Sequence, residues 1–67
     1  MIAVSVNGEA RQLEAVTTVE ALVESMACGR RGVAVAINAE VVPRSTWGDR
    51  TFAPGDRVEV LRAAQGG

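Results

Sequence analysis

Few side chains in this sequence are equipped for chemistry. Its 67 residues include no histidine, lysine or tyrosine, one cysteine at Cys28, and eight carboxylates. Proton transfer is most often the work of His, and a positioned nucleophile needs a base beside it. The carboxylates are scattered: Asp49 and Asp56 flank glycine-containing turns and read as turn residues, and Glu20 reads as a helix cap. An active site of its own is not expected, so the chain reads as a non-enzyme. One Cys without His also excludes a zinc site of the usual ligands, an iron–sulfur cluster and an intrachain disulfide. Cys28 reads as a small buried hydrophobe near a helix end. What remains is the stretch Ala63-Ala64-Gln65-Gly66-Gly67, two glycines with no helix to cap and no turn to make. At average usage two specified positions are both Gly about 0.5% of the time. A frayed end is the plain alternative.

The elements that would present such a tail follow from periodicity. Ile2, Val4 and Val6 alternate with Ala3 and Ser5, and Asn7-Gly8 follows, the strongest short-range hairpin signal. A second strand is expected from about Ala10 to Glu14. The period then lengthens: Val19, Leu22, Val23 and Met26 form the stripe of a helix with one buried face, with Glu20, Glu24 and Ser25 outward. Thr17 with Glu20 predicts a capping box, and Gly29 stands where a left-handed residue commonly ends a helix. A third strand runs from Val33 to Ile37, followed by a turn at Asn38-Ala39 and a short or edge strand ended by Pro43. Residues 44–53 have no clean period and read as an irregular connection, with Trp47 and Phe52 plugging one end of the core. Pro54-Gly55-Asp56 is a turn signal before a fifth strand, Arg57 to Arg62.

This order implies a two-layer α+β domain over residues 1–62, a mixed sheet of four to five strands with one helix packed across one face, and a flexible tail at 63–67. The most compact closure sets the last strand parallel to the first, at the centre of the sheet. A chain this short buries only ~60% of its unfolded surface, so one core must do nearly all the stabilising. Eleven Val and eleven Ala, with Trp47 and Phe52 as the only aromatics, make that core one of small β-branched residues. The net charge is −1, with no basic stripe or aromatic platform for nucleic acid. Arg30 and Arg31 read as a solvated pair beside a helix C-terminus. The longest apolar run, Val33 to Ile37, is far short of the roughly 20 residues of a membrane span, and the start lacks the form of a signal peptide. A cytoplasmic protein is expected, in a reduced compartment suited to one unpaired thiol.

Four stretches combine into a specific pattern: Val-Asn-Gly-Glu at 6–9, the helix at 18–26, Ala34 to Trp47 with its Pro-Arg-x-x-Trp segment, and Gly-Asp-Arg-Val-Glu-Val running into Gln-Gly-Gly at 55–67. In these the chain resembles the ubiquitin-like β-grasp family, and within it the bacterial sulfur carriers of thiamine thiazole synthesis. Ala39 departs from the pattern, which often has Gly after the Asn. The resemblance implies that the carboxylate of Gly67 is the working group. An E1-like adenylyltransferase would adenylate it with ATP and magnesium that the partner, not the carrier, binds. A sulfur donor such as a cysteine desulfurase would supply the thiocarboxylate sulfur, and thiazole synthase would receive it.

Physical chemistry supports such a tail independently. An α-carboxyl, with an ordinary pKa of ~3.5, is an anion at neutral pH that can attack a phosphate, but a poor electrophile until it gains a leaving group. Ala63, Ala64, Gln65, Gly66 and Gly67 together reach ~17 Å when extended, and the glycines can thread a narrow channel. The surface that docks should lie on the open face of the sheet. Val58 and Val60 would face the helix, leaving Glu59 and Leu61 outward beside Ala34 and Ala36, with Arg62 at the rim. Other readings share the fold: the small subunit of molybdopterin synthase, a carrier for cysteine synthesis, a protein-tagging modifier and, from a different class, a β-grasp adaptor whose tail is dispensable.

Overall fold

The computed structural model describes residues 1–26 and 32–62. Asn7 and Gly8 both adopt positive φ, 52° and 86°, the conformation a two-residue hairpin loop demands. The loop joins β1 (Ile2–Val6) to β2 (Glu9–Leu13) as an antiparallel pair with Val6 opposite Glu9. With only two loop residues, pairing resumes at once, so β2 occupies Glu9–Leu13 rather than the expected Ala10 to Glu14.

Helix α1 (Val19–Ser25) buries Val19, Leu22 and Val23, and Met26 forms its C-cap, packed at the edge of the core. Its N-cap is Thr18, whose hydroxyl accepts from the Ala21 N–H at 3.1 Å, so the expected Thr17–Glu20 capping box is not formed. The reason lies far along the chain. Helix starts leave orphan N–H groups, and here Val19 N donates to Arg50 O at 2.8 Å and Glu20 N to Trp47 O at 3.0 Å. Trp47 O thus takes the N–H that a Thr17 cap would have taken, and Thr17 N, which the Glu20 carboxylate would have taken, donates to Glu14 O at 2.9 Å. The expected stop at Gly29, together with Cys28, Arg30 and Arg31, lies outside the described residues.

The strand β3 (Val33–Ile37) has its expected bounds and turns at Asn38-Ala39 into β4 (Glu40–Val41), only two residues long. Residues 43–53 form no strand of their own, but they are well bonded. A 3-10 turn spans Arg44–Thr46, Thr46 Oγ1 donates to Pro43 O, and the Trp47 indole N–H donates to Val42 O at 3.0 Å. Trp47 and Phe52 are both buried, as expected. The last strand, β5 (Arg57–Arg62), completes the order β2-β1-β5-β3-β4. It runs parallel to β1 and antiparallel to β3, in the middle of the sheet, so the expected closure is observed. Nine of the thirteen buried core residues described are valines, in line with a small-residue core.

Candidate functional site: the tail-bearing strand and the open face

The alternation of β5 divides its side chains cleanly. Val58 and Val60 are buried under the helix, whereas Glu59 and Leu61 lie on the open face, with Leu61 62% exposed. Register brings the other expected residues to them: Ala34 pairs with Leu61, and Ala36 with Glu59. Arg62, exposed, pairs with Val33 at the end of the strand. Glu59, Leu61, Arg62, Ala34 and Ala36 are thus gathered on and beside two adjacent strands.

Val41, which the sequence did not single out, belongs to the same face. It pairs with Ala36 and is 76% exposed, which extends the apolar strip from Leu61 through Ala34 and Ala36 to the edge strand. A two-residue strand offers no period from which to read a face. The neighbouring alternation of β3, carried across the turn, was the available signal.

Two asparagines hold β5, one at each end. The carboxamide of Asn38 accepts from Arg57 N at 2.9 Å and donates to Asp56 Oδ1 at 3.0 Å, where the strand begins. The carboxamide of Asn7 accepts from Val60 N at 2.9 Å and donates to Val60 O at 3.3 Å, near where it ends. Both residues have φ of 52° in hairpin turns. The sequence marks them as turn formers; their grip on β5 needs a partner 53 residues away for Asn7 and 19 for Asn38. On the β3 side, Arg44 donates from Nη2 to Val33 O at 2.8 Å and stacks over Trp47, its guanidinium carbon 5.4 Å from the ring centroid. Arg44 therefore fastens the start of β3 beside the end of β5.

Among the described residues no pocket is formed, and no group of three or more His, Cys, Asp and Glu stands where it could hold a metal ion. Asp56 closes its turn by accepting from Ala53 N at 2.8 Å, as its reading as a turn residue requires. No described helix is long and apolar enough to cross a membrane. Gly67, Gly66, Gln65, Ala64 and Ala63 lie outside the described residues. What the described part offers is a firmly held central strand that leads into them.

Comparison with known proteins adds to this geometry. A model of the ThiS family matches residues 4–67. The chain is 34% identical over 61 residues to the sulfur carrier protein ThiS of Escherichia coli strain K12, an alignment covering 91% of this chain and 92% of that protein. It is 39% identical over 62 residues to a thiazole synthase of Paramagnetospirillum magneticum, covering 92% of this chain but only 19% of that much longer protein. The crystal structure of a thiamine biosynthesis protein (ThiS) from Geobacter metallireducens superimposes with a TM-score of 0.79 at 28% identity, covering 98% of this chain and all of that one.

Proposed function

This chain belongs to the ThiS family of sulfur carrier proteins of thiamine biosynthesis, and on that premise we propose that the carboxylate of Gly67 is the group that carries the sulfur. The protein is a non-catalytic carrier, so the chemistry is done to it by others. A carboxylate oxygen of Gly67 bonds to the α-phosphorus of ATP in the site of an E1-like adenylyltransferase, and pyrophosphate leaves. ATP and magnesium belong to that enzyme. The persulfide sulfur of a donor such as a cysteine desulfurase then attacks the activated carbonyl, AMP departs with one original oxygen, and a thiol attacks the donor's sulfur of the acyl disulfide so formed, making a new disulfide with the donor and releasing the thiocarboxylate. The resulting thiocarboxylate is handed to thiazole synthase. A relative that bears that name and matches this chain over 19% of its own length supports this partner. Dependence on ATP and thiol chemistry makes the cytoplasm the compartment for this work.

The observation that carries the reading is the position of β5. The strand that leads into the tail is the central one, paired on both sides and fastened by side chains. An acyl-adenylate needs a site that excludes water, and ordering five residues costs about 1 to 2 kcal/mol each in backbone entropy. Docking of a rigid body offsets that cost. The apolar strip of Leu61, Ala34, Ala36 and Val41, rimmed by Glu59 and Arg62, is the surface proposed to dock, having an apolar centre and a charged edge. Residues 1–62 act as the handle and 63–67 as the reagent.

One added residue after Gly67 tests this division. With the E1-like enzyme and ATP, the extended chain is expected to support no ATP–pyrophosphate exchange while it remains folded. Exchange at the unextended rate would contradict the role of Gly67 and favour an adaptor.

A further inference from the structure

The parallel ladder between β1 and β5 stops short. It pairs Ser5 with Arg57 and Val6 with Val58, and Asn7 N donates to Val58 O at 2.8 Å. There β1 turns away into the hairpin, with Asn7 at φ 52°. Its main chain can no longer follow β5, so Val60, two residues further out, would lose its partner on that side. The carboxamide of Asn7 fills the gap by bonding both Val60 N and Val60 O, groups that two residues of a continuing parallel strand would otherwise have shared. Beyond Val60, the pairing of Leu61 and Arg62 is with β3 alone.

From this arrangement we infer that Asn7 is a positioning residue for the tail, the group that sets how far along β5 the chain is held on both sides. This rests on the reading of Gly67 as the carrier. Without the carboxamide the last doubly held residue retreats from Val60 to Val58. The end of β5 then frays, and the five-residue reach from Arg62 becomes a longer, looser one. The frayed residues must be ordered again on docking, so the penalty falls on association and not on the chemical step once bound.

Glycine accepts positive φ without strain, so Asn7→Gly removes the clamp and keeps the turn. Asn38→Gly is the matched control. It removes an equivalent pair of side-chain bonds, to Arg57 N and Asp56 Oδ1, at the far end of the same strand. Two readouts are taken on the full chain: amide hydrogen exchange at Val60, and ATP–pyrophosphate exchange by the E1-like enzyme as a function of carrier concentration. For Asn7→Gly, Val60 should exchange faster and the KM for the carrier rise about two- to tenfold, the worth of one ordinary hydrogen bond or somewhat more, with kcat unchanged. For Asn38→Gly, both Val60 exchange and KM should match the unsubstituted chain. A KM for Asn7→Gly equal to that of the unsubstituted chain, an equal rise for Asn38→Gly, or a fall in kcat at constant KM would overturn the positioning role while leaving Gly67 as carrier. An unsubstituted chain that supports no exchange at all would overturn the carrier reading and the positioning role with it.

Discussion

Ala39 occupies a backbone region, φ 71°, that suits glycine. An L-residue there sets its Cβ against the backbone at roughly 1–2 kcal/mol. Glycine relieves that strain and returns part of the gain as greater freedom of the unfolded chain. Ala39→Gly is therefore expected to stabilise the fold by about 1 kcal/mol, raising the melting temperature by about 4–8 °C for a domain of this size. Thermal unfolding followed by circular dichroism checks it; a lower melting temperature would mean that the turn is not held at positive φ. A second prediction concerns the cap. Thr18→Ala should cost about 1 kcal/mol by removing the bond to Ala21 N, whereas Thr17→Ala, at a half-buried side chain that caps no helix N–H, should cost less, under about 0.5 kcal/mol. Urea unfolding of the two variants separates them, and equal losses would contradict the assigned cap. The Thr17–Glu20 spacing pointed to the wrong one of two adjacent threonines, either of which can by residue type cap a helix. Carbonyls of Trp47 and Arg50, roughly thirty residues on, decide it.

At the scale of the elements, faces were easier to read than ends. Alternation in β1, β3 and β5 separates buried Val4, Val6, Val33, Val35, Ile37, Val58 and Val60 from an outward set, because in a strand every second side chain shares a face. The α1 stripe was legible for the same reason at its longer period. Boundaries depended on partners: the start of β2 on its loop geometry, the start of α1 on a distant segment. The open face was legible on β3 and β5, but not at Val41, whose strand is too short to show a period. Leu61→Asp sets a charge at the tail end of the apolar strip and alters no buried group. Transfer of sulfur to thiazole synthase is expected to fall about tenfold, the scale of an exposed anchor residue lost from an interface, with the urea midpoint unchanged. Undiminished transfer would remove Leu61 from the docking surface.

Across the described residues of the whole fold, one helix and five short strands leave few ways to cover a single core. The parallel pairing of β1 with β5 could therefore be anticipated from order alone. The packing of residues 43–53 could not. Their hydrogen bonds reach into the helix start and around Trp47, and no local period records such ties. Topology puts the tail-bearing strand at the centre, and the resemblance to known carriers gives that placement its purpose. The role of Gly67 is read out by the intact mass of the protein after incubation with ATP, an E1-like adenylyltransferase and a sulfur donor, with fragmentation to locate any change. One oxygen is expected to be exchanged for one sulfur at Gly67. An unaltered carboxylate at Gly67, under conditions in which another carrier of the family is converted, would contradict it.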